Sequence, residues 1–161
     1  MREKLKTKEG IDISSTYIKG LLKLGHMEQV NGLLGYPYSI KAEVVHGNHY
    51  GRTFGMPTIN QLPGPEKLMP PNGVYISQTI VEGRAYKSVT NIGVKPTIEG
   101  AYPIGAETFI QEFNQDLYGK TVEVQLYSYA RPEMKFSSRE QLISQMHRDN
   151  EAALSYWKNR K

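Results

Sequence analysis

Cysteine is missing from the 161 residues, which removes disulfides, thiolate nucleophiles and cysteine-bound zinc from the available chemistry. Tryptophan occurs once, against eleven tyrosines; with the β-branched runs, that usage favours a β-rich body. A run of the ~18 apolar residues that a membrane helix needs is absent, and the N-terminus has no secretory apolar stretch. No membrane association and a cytoplasmic location are therefore expected. Long runs of one charge are also absent. The basic stretch Arg2, Lys4, Lys6 and Lys8 is broken by Glu3 and Glu9, as on a solvated surface. The net charge of +4 and pI near 9.2 suit an anionic ligand such as a nucleotide triphosphate or a nucleic acid. Lys and Arg are scattered, however, with no basic stripe carrying interleaved aromatics, so nucleic acid is not an expected partner. No obligate protein partner is indicated.

What is present is enough to fold. Charged residues make up 22% and hydrophobic residues 39% of the chain, which suits one domain with a core and a modest appendage. Residues 1–37 read as a helical segment. Ile18, Leu21, Leu22 and Leu24 recur at helical spacing, then Val30, Leu33 and Leu34 do the same. Ser14, Ser15 and Thr16 are candidate caps, and Gly25 and Gly35 are candidate stops. From Tyr38 to the C-terminus the texture is strand and turn. Ile40, Ala42 and Val44 alternate with charged or outward residues; 74–81 and 86–92 flank the turn pair Glu82-Gly83; 106–113 is less regular. In 121–129, Val122, Val124, Leu126 and Ser128 share one face. Strands without intervening helices predict an antiparallel barrel or sandwich. A final helix over 138–158, capped by Ser137 or Ser138, carries a stripe of Leu142, Ile143, Met146, Ala153, Leu154 and Trp157 that should pack on the barrel. The proline-rich stretch from Gly55 to Gly73 reads as a long loop, and long ordered loops often carry function.

The densest signal is the run from Gly47 to Asn60. Gly47, Gly51 and Gly55 let backbone N–H groups approach an anion. Arg52 offers charge to phosphate, while Thr58 and Asn60 offer a hydroxyl and an amide oxygen to a hard cation. By spacing alone, a glycine-rich hairpin with a Pro-Thr corner is the competing reading. No G-x-x-x-x-G-K-[ST] loop and no H-R-D or D-F-G set exists, so a phosphoryl-transfer enzyme here needs another scaffold.

The run resembles the riboflavin kinase signature G-R-x-L-G-F-P-T-A-N. Gly51, Arg52, Gly55, Pro57, Thr58 and Asn60 are kept, with Phe54, Met56 and Ile59 in place of Leu, Phe and Ala. Further matches follow in the family's order: Gly73-Val74-Tyr75, Asn91-Ile92-Gly93 with Pro96-Thr97, Glu107-Thr108, Asp116-Leu117-Tyr118-Gly119, and Arg131 through Phe136. The resemblance implies a mainly β fold, a six-stranded antiparallel Greek-key barrel with a C-terminal helix, over residues 38–161. It also implies phosphorylation of riboflavin by ATP to give FMN and ADP. Thr58 and Asn60 would coordinate Mg²⁺ with the ATP phosphates, and Gly51, Arg52 and Gly55 would lie over them. Leu117 and Tyr118 would help hold the nucleotide, Glu107 would be the general base, and the loop with Arg131 would close over flavin. Without the family, Glu107 reads as an ordinary solvated strand residue.

Ile13-Ser14-Ser15-Thr16 and the following residues to Tyr38 resemble the end of the FMN adenylyltransferase module of bacterial bifunctional FAD synthetases. The H-x-G-H site of that module is absent, since His46-Gly47-Asn48-His49 has Asn48 at the glycine position; FAD synthesis is not expected. Two other functions compete with the kinase. One is a non-catalytic flavin- or nucleotide-binding regulatory module, which Glu107 argues against; the other is an RNA-binding β-barrel, for which no aromatic and basic platform is visible.

Overall fold

In the computed structural model, the structure describes residues 5–6, 12–13, 15–47, 56–94 and 103–160. A short antiparallel pair, β1 (Leu5–Lys6) and β2 (Asp12–Ile13), precedes helices α1 (Ser15–Lys23) and α2 (Met27–Leu34). Six strands follow: β3 (Tyr38–Val45), β4 (Thr58–Gln61), β5 (Gly73–Val81), β6 (Arg84–Val94), β7 (Ile104–Ile110) and β8 (Thr121–Arg131). Helix α3 (Arg139–Asn159) ends the described chain. The six strands close into a barrel in the order β3-β4-β7-β6-β5-β8, every pair antiparallel. Among the described residues, no helix is long and apolar enough to cross a membrane.

The expected alternation is realised: Ile40, Val122, Val124 and Leu126 are buried in the core, together with Tyr75, Ile92, Ala106 and Ile110. The β5–β6 hairpin turns on Glu82 and Gly83, both at positive φ (51° and 79°), the geometry whose twist matches two paired strands. Tyr75 donates to the Pro71 carbonyl at 2.6 Å and meets Tyr129 edge-on at 5.2 Å. Burial pushes its phenol pKa well above the usual tyrosine value.

Part of the interior is polar. Thr79, Ser88, Ser77, Thr90 and Thr108 are fully buried and joined in that order by hydrogen bonds of 2.7–2.9 Å. Each hydroxyl finds a partner inside the barrel, which offsets the cost of removing it from water. The chain ties β5, β6 and β7 together and ends at Thr108, next to Glu107.

Helices α1 and α2 end at Gly25 and Gly35, as expected, both with positive φ. Leu22, Met27 and Val30 from this segment join the barrel core. Asn31 fastens it by donating to the Leu126 carbonyl at 2.8 Å and accepting from the Tyr38 N–H at 2.8 Å. Ser138 caps α3 by accepting from the Gln141 N–H. The face of α3 with Met146, Ala153 and Trp157 is turned inward, and Trp157 meets Tyr127 of β8 edge-on at 4.7 Å. Leu154 departs from the expected stripe and is 45% exposed; one residue past Ala153 turns it about 100° away around the helix.

Two further differences concern the site. The expected loop from Gly55 to Gly73 contains β4, whose four residues Thr-Ile-Asn-Gln pair with β7 at every position. Thr58 and Ile59 favour a strand, but four residues between prolines are too short to show it, and pairing with β7 extends Asn60 and Gln61 as well. Strand β7 spans Ile104–Ile110 rather than 106–113, because Glu112 turns back at φ 53°.

Candidate active site

Strand alternation assembles the site. In β7, Ala106 and Thr108 point into the barrel and are buried, so Glu107 between them projects outward. In β4, Gln61 is buried inside, which sends Asn60 and Thr58 outward as well. Asn60 lies directly opposite Glu107 in the β4–β7 register. Thr58, two residues along the same face, donates its hydroxyl hydrogen to Glu107 Oε1 at 2.9 Å. Thr58, Asn60 and Glu107 are thus neighbours on one surface. With its hydrogen committed to the carboxylate, the Thr58 oxygen has its lone pairs left to face a cation.

Asn60 is held from the other side by the end of β3. A Cβ on Gly47 would collide with the Asn60 carboxamide, so a larger residue there would push the Asn60 side chain out of its present position. Beside them lies a cleft of about 520 Å³, bordered by Val45, Gly47, Thr58, Asn60, Asp116 and Tyr118. Its far wall is the loop after β7. Gly119 N–H donates to the Val44 carbonyl and Val44 N–H to the Lys120 carbonyl, both at 2.9 Å, clipping the loop to β3. Asp116 accepts from the Tyr118 N–H at 2.9 Å. Leu117 is buried and anchors the loop, whereas Tyr118 is 53% exposed and stacks on His46 at 3.6 Å between centroids. His46 thereby contributes to the cleft wall, a part that its place in a decoy histidine motif did not suggest.

Arg131, at the end of β8, makes a two-pronged pair with Asp149 of α3: Nε to Oδ1 at 2.8 Å and Nη2 to Oδ2 at 2.7 Å. Its Nη1 donates to the Pro132 carbonyl at 2.9 Å, and Gln145 also donates to Asp149 at 2.9 Å. Both charged side chains are largely buried, at 19% and 11% exposure. Arg131 therefore fastens the start of the loop after β8 to the helix. Asp149 was not visible as a partner in sequence, because 18 residues and a turn separate the two. Arg131→Lys cannot reproduce the fork; a loss of about 1–2 kcal/mol is expected, read as a fall in Tm of about 3–6 °C. Gly51, Arg52 and Gly55, together with Pro96-Thr97, lie outside the described residues.

Among the described residues, no group of three His, Asp or Glu side chains could hold a metal ion. A cation bound here would instead use the Thr58 hydroxyl, an Asn60 oxygen, water and oxygens of the bound ligand, a donor set that Mg²⁺ accepts.

The family model described as Flavokinase: Riboflavin kinase matches residues 34–157. The chain belongs to the riboflavin kinase family. Among its relatives, the bifunctional riboflavin kinase/FMN adenylyltransferase of Bacillus subtilis is 40% identical over 161 residues, covering 99% of this chain and 51% of that protein. The enzyme of the same name from Escherichia coli K12 is 34% identical over 149 residues, covering 92% and 47%. The chain thus spans about half the length of these curated relatives. A solved structure named Macrolide-efflux Protein from Streptococcus pneumoniae superposes with a TM-score of 0.84 at 35% identity, over 93% of this chain and 49% of that one. The riboflavin kinase of Trypanosoma brucei shares the fold, with a TM-score of 0.53 at 20% identity, over 77% and 82% of the two chains. The closed six-stranded barrel is the riboflavin kinase fold, as the motifs of this chain imply.

Proposed function

We propose that this riboflavin kinase family member transfers the γ-phosphoryl group of ATP to the ribityl 5′-hydroxyl of riboflavin, giving FMN and ADP. The observation that carries the reading is the Thr58–Glu107 hydrogen bond with Asn60 directly across from Glu107, all on one face beside a cleft. The cleft takes the nucleotide. Thr58 and Asn60 hold a magnesium ion together with the phosphates; when bound, Mg²⁺ supplies neutralisation of phosphate charge. The exposed Tyr118–His46 stack offers a flat surface to a nucleobase, and Leu117 fixes the loop that presents it. By the family resemblance, Gly51, Arg52 and Gly55, which lie outside the described residues, would contact the phosphates.

Glu107 accepts the proton of the attacking hydroxyl. The alcohol oxygen forms a bond to the γ-phosphorus as the bond to the ADP oxygen breaks. Little covalent work falls to the protein, so in-line placement and charge compensation dominate. Arg131 serves flavin binding by holding its loop to α3. Residues 38–161 are read as the kinase unit, and residues 1–37 as a segment akin to the end of an FMN adenylyltransferase module, whose helix α2 is fastened to the barrel by Asn31. No FAD formation is proposed for these 161 residues.

The test is FMN formation from riboflavin, ATP and Mg²⁺ by the purified protein, followed by chromatography. Thr58→Ala is expected to raise KM for MgATP at least about tenfold, since a hydrogen bond to a charged group and a cation ligand are lost together. A wild-type protein that binds riboflavin yet makes no FMN would overturn the kinase reading in favour of a flavin-binding regulatory module.

A further inference from the structure

The outward row of the barrel does not stop at Glu107. Asn91 of β6 lies directly opposite Glu107 in the β6–β7 register. Its neighbours Thr90 and Ile92 are fully buried inside the barrel, so the Asn91 side chain shares the outward face with Glu107. Val74 of β5 stands opposite Asn91 on the other side. The Asn91 Oδ1 is buried and has no hydrogen-bond partner among the described residues. The row itself explains why: valine has no donor, and a carboxylate only accepts. Buried amide oxygens are almost always bonded, so this one is aimed at a donor that the described residues do not supply.

A second observation places the loop after β8 over the same face. A Cβ on Gly93, two residues past Asn91 on its own side of β6, would collide with the Glu133 carboxylate. The loop anchored by Arg131 therefore presses onto the strand beside Asn91. What lies between Glu107 and this loop faces the Glu107 carboxylate and the Asn91 Oδ1, both of which accept.

We propose that Asn91 is a substrate-binding residue whose Oδ1 accepts a hydrogen bond from a secondary hydroxyl of the ribityl chain. The inference rests on the riboflavin reading above. Neighbouring strands are about 4.8 Å apart, so Glu107 and Asn91 present two acceptors at a spacing that an extended polyol bridges. A sugar alcohol chain has a hydroxyl donor on each of these carbons and fits a row of acceptors. Asn91 thus selects for a polyhydroxylated side chain on the flavin, with Glu107 assigned to the terminal hydroxyl.

The experiment measures binding by quenching of flavin fluorescence, without ATP, for wild type and Asn91→Ala. Riboflavin, its 2′-, 3′- and 4′-deoxy analogues, and lumiflavin, which lacks the ribityl chain, serve as probes. Asn91→Ala is expected to weaken riboflavin about tenfold, the scale of one hydrogen bond. It should leave lumiflavin unchanged, and leave unchanged the single deoxy analogue that lacks the partner hydroxyl. KM for MgATP and Tm should stay at wild-type values. Equal riboflavin affinity in the variant, or an equal loss for riboflavin and lumiflavin, overturns the assignment even if FMN is made normally. Riboflavin binding that depends on Asn91 without FMN formation overturns the kinase reading alone. Failure of the wild type to bind riboflavin overturns both.

Discussion

Glu107→Gln is expected to lower kcat for FMN formation by about 10²–10⁴-fold, the usual contribution of a positioned general base. The substitution isolates one property. Glutamine keeps an oxygen where Glu107 Oε1 accepts the Thr58 hydroxyl, so the hydrogen bond and the side-chain volume persist while the ability to take a proton is lost. KM for MgATP should therefore change little, and Tm should stay within about 2 °C, since a partly exposed isosteric change away from packing costs little. Steady-state kinetics with thermal denaturation on the same preparation separates these outcomes. A variant that makes FMN at the wild-type rate would show that the hydroxyl loses its proton elsewhere.

Gln61→Met is expected to destabilise the barrel by about 1–3 kcal/mol. Among the described residues, strands β3 and β4 share two register pairs, Val44↔Gln61 and Val45↔Asn60, fewer than any other seam of the closed sheet. The buried Gln61 amide bridges it, donating from Nε2 to the carbonyls of Ala42 and Val122 at 2.9 and 2.8 Å. Methionine fills the same space without a donor and removes both hydrogen bonds, each worth about 0.5–1.5 kcal/mol. Removal of the unpartnered Gln61 Oε1 offsets part of that. The midpoint of urea denaturation reports the loss. Because Asn60 precedes Gln61 on β4, KM for MgATP should rise in the same variant while KM for riboflavin holds. An unchanged midpoint would mean that ladder pairing alone closes the barrel.

The two ends of the barrel were legible to different degrees. Strand β8 is plain in sequence because Val122, Val124 and Leu126 alternate with polar residues over its first seven positions, and the β5–β6 hairpin and the ends of α1 and α2 carry their turn glycines. Strand β4 was not, since four residues cannot display a period and Asn60 and Gln61 have little reason to extend until β7 is beside them. The Arg131–Asp149 fork, the Tyr118–His46 stack and the orphaned Asn91 oxygen share that origin: each depends on which strand or helix lies alongside.

The order of motifs from Gly51 to Phe136 determined the family and, through it, the barrel; alternation determined an antiparallel β fold, because both are written in local side-chain chemistry. The grouping of Thr58, Asn60 and Glu107 was decided only by tertiary structure. Strand register sets which outward side chains stand opposite one another, and register is fixed by closing the whole sheet around its core.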